Sequence, residues 1–270
     1  MRFASLELPQ EPSVRFASLG SGSQGNALVI EAGATRVMLD CGFSVKDTES
    51  RLARAGLAAA DLAGIIVTHE HADHADGVFS LARRFGIPVW LTHGTLAAMR
   101  QANGDAGAEC GIEVVRPGQE FPIGDLLVQP FTVPHDAREP VQYALADGAR
   151  RLGVLTDTGC STMHIEASLS GCDALVLECN HDLDMLRRGE YPPALKTRVA
   201  GRLGHLDNGA SAAILAALDR SRLKHVIAAH LSQKNNTPAL ARGALAAVLD
   251  CAPEWVSVAT QDEGFDWREL

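Results

Sequence analysis

Aromatic residues are scarce: two tyrosines, three tryptophans and eight phenylalanines in 270 residues. Long apolar runs are absent as well. The most apolar helical stretch, Ala210–Leu218, is closed off by Asp207 and Asp219, well short of the ~20 residues a membrane-spanning helix needs. Glu7, Pro9 and Glu11 interrupt the N-terminus where a secretory signal would need an unbroken apolar region. No membrane partner and no secretion are therefore expected. The six cysteines form no CxxC pair and no regular framework, which argues for reduced thiols and a cytoplasmic protein. Cys41, Cys160 and Cys179 follow strand-like segments, but free cysteine commonly packs as a small apolar residue. A basic excess is missing too: 24 Lys+Arg stand against 33 Asp+Glu, a net charge of −9. That excludes a protein coating nucleic acid or membrane through diffuse positive charge. An enzyme with a locally basic groove remains open.

What is present is an ordinary globular composition, 46% hydrophobic and 21% charged, which excludes disorder, collagen and coiled coil. No linker or low-complexity segment divides the chain, so residues 1–270 are expected to form one domain. Strand-like runs are predicted at 14–19, 27–31, 36–40, 65–68, 89–91, 126–133, 142–146, 152–156, 174–178, 225–229 and 255–259. Helical runs are predicted at 45–55, 74–84, 95–101, 209–219 and 238–249. The mixture implies an α/β fold of sheets sandwiched between helices. Several predicted strands end at a polar residue, among them Asp40, His69, His135, Asp157, Glu178 and His230. Ligands in α/β folds gather at strand carboxyl ends.

Gly20-Ser-Gly-Ser-Gln-Gly25 matches a dinucleotide-binding pattern in letters only. That fingerprint needs a helix after the third glycine, whereas Asn26-Ala-Leu-Val-Ile-Glu31 reads as a strand. A tight hairpin turn is the plainer reading. The alternative is a loop whose amides, or whose Ser21, Ser23 and Asn26 side chains, reach a phosphate.

Ten histidines are the compositional surplus, and their placement points to chemistry. Thr68-His69-Glu-His71-Ala-Asp73-His74 follows an apolar strand and precedes a helix. His69 and His71 can point the same way from extended backbone, while Asp73 and His74 begin the helix. Four imidazole and carboxylate donors this close together suit two borderline cations better than one. The H-E-x-x-H zinc pattern does not fit, because the second histidine would fall on Asp73.

His-x-His-x-Asp-His resembles the signature of the metallo-β-lactamase-fold hydrolases, and other positions of that family occur here in order. Asp40 in VMLDCG resembles the aspartate that orients the metal loop from behind. His135 in FTVPHDA, Asp157 in VLTDTG and His230 in AAHLS resemble the remaining ligands. The resemblance spans nearly the whole chain. It implies a four-layer αββα sandwich with two divalent ions, Zn²⁺ first and Mn²⁺ or Fe²⁺ as alternatives. One ion would take His69, His71 and His135, the other Asp73, His74 and His230, with Asp157 bridging and a hydroxide between them as nucleophile. The histidine at 71 disfavours diiron oxygen chemistry, and the acid at 157 fits phosphodiesterases and glyoxalase II rather than true β-lactamases.

The segments SLGSGSQGNALVIE, LECNHDLDMLRRGEYPPALKTRVAGRLGHLDN and AAHLSQKNNTPALA resemble the YycJ-like branch, related to the PhnP and ribonuclease Z phosphodiesterases. This implies a nuclease with 5′-exonuclease-like action on DNA or RNA. Independently, Arg187, Arg188, Lys196, Arg198 and Arg202 stand against Glu190 alone between Leu186 and His205. Phosphates are held by such cations, although a charge run is as readily a solvated helix face. Glu178 and His205 resemble an acid–imidazole pair that assists protonation of the leaving oxygen, and Asp73 is expected to be catalytic as well as a metal ligand. His205 is preferred to His181, which can instead contact phosphate or cap a helix. His93, His164 and His225 match no ligand position. Two further readings stand: a small-molecule hydrolase acting on a cyclic phosphodiester or a thioester, and a non-catalytic ligand-binding relative.

Overall fold

The central strands are apolar on both faces, one turned to a shared interior and the other to the helices, and so build two sheets around one core. The structure is a computed structural model describing residues 14–104, 107 and 109–270; the N-terminal segment carrying Glu7, Pro9 and Glu11 lies outside them. The first half runs β1 (Val14–Gly20), β2 (Ala27–Ala32), β3 (Thr35–Leu39), α1 (Val45–Arg54), β4 (Gly64–Ile66), α2 (Ala72–Ala75), α3 (Val78–Phe85), β5 (Val89–Thr92), α4 (His93–Asn103) and β6 (Ile112–Val115). The second half runs β7 (Phe121–Ile123), β8 (Leu126–Thr132), β9 (Val141–Ala146), β10 (Arg151–Leu155), α5 (Met163–Leu169), β11 (Ala174–Glu178), α6 (Leu183–Arg188), α7 (Pro193–Val199), α8 (Asn208–Ala217), β12 (His225–Ala229), α9 (Pro238–Leu249), β13 (Ser257–Val258) and β14 (Phe265–Glu269).

The first sheet has the order β14-β1-β2-β3-β4-β5-β6 and the second β13-β12-β11-β10-β9-β8-β7. Each combines an antiparallel meander with a parallel section, β3 to β6 in one and β10 to β13 in the other. Between the sheets lie Phe16, Ile30, Val37 and Ile66 from one side and Val128, Tyr143, Val154 and Ile227 from the other. Their strand neighbours face outward: Val29, Met38 and Ile65 meet the helices of the first half, while Leu175, Leu177 and Val226 meet those of the second. A strand buried on both faces reads as a continuous apolar run rather than an alternating one. The layers are helix, sheet, sheet, helix, as the family resemblance implied. Tyr143 ties them together, its hydroxyl donating to Val67 O at 2.9 Å across the interior.

Three differences from the sequence reading have local causes. The predicted helix over 74–84 is split into α2 and α3, because Gly77 donates its amide to Cys41 O at 2.8 Å. A Cβ at Gly77 would stand 2.0 Å from Phe43 O, so the chain must turn tightly there. Edge strands β6 (IEVV) and β7 (FPI) are only four and three residues long, and β14 (FDWRE) is mostly polar, which weakens their signal. The helices α5, α6 and α7 span seven residues or fewer, too few for a clear helical period. No helix among the described residues is long and apolar enough to cross a membrane.

Candidate metal centre

The parallel strands β3, β4, β10, β11 and β12 deliver Asp40, Thr68–His69, Asp157, Glu178 and His230 to one end of the sandwich. Three of these residues leave their strands in the left-handed region: Asp40 at φ 61°, Asp157 at φ 51° and His230 at φ 54°. Such backbone costs free energy in a non-glycine residue and persists only where surroundings over-determine it. Here they do. Asp40 N donates to Ile66 O, and His230 N donates to Ser21 Oγ at 2.9 Å while its carbonyl accepts from Asn180 Nδ2 at 3.1 Å.

The His69–His74 loop is pinned from behind. Asp40 accepts the Thr68 amide and hydroxyl, each at 2.8 Å, and lies 2.7 Å from His74 Nδ1. The Thr68 hydroxyl is also 2.9 Å from His69 Nδ1, so one carboxylate orients two imidazoles. Gly42 permits the contact between loops, since a Cβ there would meet Asp73 O at 1.9 Å. Asn26 braces the same turn: its amide donates to Asp73 O at 2.8 Å, and its side chain donates to Gly22 O at 3.0 Å.

Donor atoms gather into overlapping groups, each with its atoms within 4.8 Å of one another: His69, His71 and His135; Asp73, His74 and His230; His69, His74 and Asp157; and Asp157, Glu178, His205 and His230. Asp157 is shared, its oxygens 3.0 Å from His74 Nε2, 3.6 Å from His230 Nδ1 and 4.0 Å from His135 Nε2. The fit to a cation rests on more than residue type. His69 Nε2 is buried with no hydrogen-bond partner, and a buried polar atom is rarely left so. His135 Nδ1 meets Gly204 O at 3.1 Å, leaving Nε2 to face His71 Nδ1 at 3.2 Å.

Electrostatics separate the two histidine groups. Burial and neighbouring imidazoles push His69 well below its usual pKa, and burial lowers His135, so both are neutral and competent as ligands. In His74 and His230 burial opposes ionisation, but Asp157 and Asp73 outweigh it. His74 is raised well above its usual value and His230 to about 10. Asp157 and Asp73 stay ionised despite burial, the latter with a pKa of about 2, because those imidazoles face them. Cation binding must displace such protons.

The groups open on a cavity of about 370 Å³ lined by Ser23, His71, Ala72, Asp73, Asp136, Asp157, Tyr191, Leu195, Arg198, Val199, Gly204, His205 and His230. His205 Nδ1 is 2.7 Å from Glu178 Oε1. The other Glu178 oxygen accepts Thr158 N at 3.0 Å and Leu206 N at 3.3 Å. Burial would lower the His205 pKa; Glu178, with Asp157 behind it, overcomes this and raises it.

Other predicted contacts fall elsewhere. Ser21 and Asn26 are buried and spend their side chains inside the fold, so of the glycine loop only Ser23 lines the cavity. The loop is the β1–β2 hairpin connection. Of the five cations, only Arg198 lines the cavity, and its Nε holds Asp136 Oδ2 at 2.6 Å. Lys196 Nζ donates to Arg187 O at 2.8 Å, Arg187 pairs with Asp184 at 3.6 Å, and Arg187, Arg188 and Arg202 are exposed outside the lining. The short helices turn this charge run mostly to solvent. His181 is buried beside Asn180 and absent from the lining, which leaves His205 of the two candidate acids. His93, His164 and His225 join no donor group among the described residues. Asp136, whose Oδ1 is 3.8 Å from His71 Nε2, lies outside the sequence expectations, as do Thr68, Asn180, Tyr191, Leu195 and Val199. Only the adjacency of Asp136 to His135 and the four-residue spacing of 191, 195 and 199 offered any signal.

A family model described as a β-lactamase superfamily domain matches residues 35–230. The chain belongs to that superfamily, in its metallo-β-lactamase-fold branch. Among individual proteins, it is 37% identical over 237 residues to exodeoxyribonuclease YycJ of Bacillus anthracis, covering 88% of this chain and 89% of the relative. It is 32% identical to exodeoxyribonuclease WalJ of Streptococcus pneumoniae serotype 2 (strain D39 / NCTC 7466), covering 86% of each. In structure it resembles the metallo-β-lactamase-fold protein YhfI of Bacillus subtilis, with a TM-score of 0.75 at 16% identity, over 96% of this chain and 100% of that one.

Proposed function

We propose that this protein is a dinuclear metal-dependent phosphodiesterase, a nuclease with 5′-exonuclease-like action on DNA or RNA. The observation that carries the reading is the pair of donor triads, His69/His71/His135 and Asp73/His74/His230, sharing Asp157 at the floor of one open cavity. The two curated relatives above bear exodeoxyribonuclease names, which favours a phosphodiester over a thioester. The triads would each hold one divalent ion, Zn²⁺ before Mn²⁺ or Fe²⁺ given the imidazole-rich donor set. When bound, such ions supply Lewis acidity toward phosphate oxygens and make water a nucleophile at neutral pH.

The remaining work belongs to the polypeptide. Asp40 and Thr68 hold the imidazoles of His74 and His69 in place. Such partners of ligating residues set ring orientation and tautomer. His205 keeps a proton because Glu178 faces its Nδ1, and Nε2 is the nitrogen left to serve the cavity. It protonates the departing oxygen, a role that suits an imidazole whose pKa is raised by a facing carboxylate. Arg198 restrains Asp136 beside His71 and His135. Free thiols at all six cysteines support residence in the reducing cytoplasm, and residues 1–270 would act as one domain.

The test is cleavage of 5′-phosphorylated, 5′-hydroxyl and circular DNA, and of RNA, by protein loaded with Zn²⁺, Mn²⁺ or Fe²⁺. Shortening of linear strands from the 5′ end, with circles left intact, is expected. Turnover of S-lactoylglutathione without cleavage of any phosphodiester would overturn the assignment.

A further inference from the structure

Only two tyrosines occur in the chain, and they have opposite fates. Tyr143 is fully buried between the sheets, whereas Tyr191 stands half-buried in the cavity wall. Tyr191 lies in the bend before α7, and Leu195 and Val199, four residues apart, share one face of that helix. All three line the cavity. Lys234 Nζ lies 5.8 Å from the Tyr191 ring centroid, over one face of the ring.

The cavity is thus divided. Its floor carries the histidines and carboxylates of the metal centre, and one wall is aromatic and aliphatic. A nucleotide is divided in the same way, with an anionic phosphate at one end and a flat apolar base at the other. The volume of about 370 Å³ falls within the range of small-ligand pockets. A phosphate monoester without a base, or a polar thioester, has no group to fill this wall.

We propose that Tyr191, backed by Leu195 and Val199, is the base-stacking subsite that seats the nucleobase next to the scissile phosphate. Every base has a π-face, so stacking of this kind tolerates sequence. Lys234 adds cationic character at the ring. This subsite rests on the reading of the floor as a phosphodiester site.

The test measures binding beside turnover. Fluorescence anisotropy follows a labelled 5′-phosphorylated oligodeoxynucleotide, either intact or with an abasic 5′-terminal nucleotide, on the full chain with and without added Zn²⁺ or Mn²⁺. Tyr191→Ala should raise Kd for the intact strand roughly tenfold, in line with single base–aromatic stacks, while Tyr191→Phe, which keeps the ring, leaves it unchanged. The abasic strand should bind the unsubstituted protein more weakly by a similar factor, and Tyr191→Ala should weaken it no further. Equal weakening of both strands would show that the ring only holds the α7 segment in place, and no weakening of either would remove the subsite; both outcomes overturn the proposal. Cleavage measured in parallel separates the two readings. A Tyr191-dependent Kd without any turnover supports the base subsite and sinks the phosphodiesterase. Turnover indifferent to Tyr191 and to the terminal base does the reverse.

Discussion

The two sheets are built alike yet furnish the candidate metal centre in different ways. Each joins an antiparallel meander to a parallel section. The first sheet sends out one contiguous segment, His69 to His74, from the end of β4. The second supplies single residues from separate strand ends: His135 after β8, Asp157 after β10, Glu178 on β11 and His230 after β12. A contiguous donor segment needs only a braced loop, which Asp40, Thr68 and Asn26 provide. Scattered donors need the register of a whole sheet, including the left-handed turns at Asp157 and His230. Half of the centre is thus a local motif, and the other half is a product of topology.

If both halves are equally necessary, His71→Ala in the first and Asp157→Asn in the second should each abolish metal-dependent cleavage in a protein that remains folded by circular dichroism. Bound metal, measured by mass spectrometry, should fall in both. Full activity in either variant would break the symmetry of need between the halves.

The acid should sit entirely with the second sheet. His205→Ala is expected to lower kcat roughly 10²- to 10⁴-fold without loss of bound metal. The deficit should shrink for a p-nitrophenyl phosphodiester, whose leaving group needs no proton. An equal deficit with both leaving groups would assign His205 a positioning role only.

Bracing should matter more on the side with the contiguous loop. Asp40→Asn loosens two imidazoles at once and should weaken metal affinity about 10- to 100-fold, as read by calorimetric titration. Asn180→Ala touches His230 Nδ1 only across a long 3.5 Å contact, so it should cost less. The opposite ranking would mean that the second half is the more loosely held.

The smallest effect is expected at the opposite end of the first sheet, at Glu31 near the end of β2. Burial pushes this carboxyl up, but hydrogen bonds and charge from Arg15 and Arg36 outweigh it and lower the pKa. A depressed folded-state pKa contributes stability above the ordinary carboxylate range, and that contribution is lost as pH falls through the lowered value. Glu31→Gln should therefore flatten the acid limb of stability in urea melts and cost ~1 kcal/mol or less at neutral pH. Bound metal should not change; a loss of metal would show that the two ends of the sheet are coupled.

Much of this was legible in the chain. The histidine loop, the polar strand ends and the central apolar strands stand out because each is set by residues adjacent in sequence or by a strong period. The cations of α6 and α7 misled, since a charge run carries no information on which face of a short helix meets the cleft. The glycine loop was read correctly as a turn, but the use of Ser21 and Asn26 was not visible: their partners, His230 and Asp73, lie far along the chain. Tyr191 shows little in the sequence beyond its spacing from Leu195 and Val199, because its neighbour Lys234 and the cavity floor come from other elements.

The scarcity of aromatic residues left histidine as the informative ring in this sequence; the spacing of histidine and aspartate determined the donor chemistry, and the mixture of strand-like and helical runs determined the α/β class. Spacing acts through local backbone geometry, which short segments specify. Tertiary structure alone decided which of the predicted phosphate contacts reach the cavity, which of His205 and His181 lines it, and which of the two tyrosines stands in its wall. Those outcomes depend on strand order and on the direction of single side chains, and both are settled only when the two sheets pack.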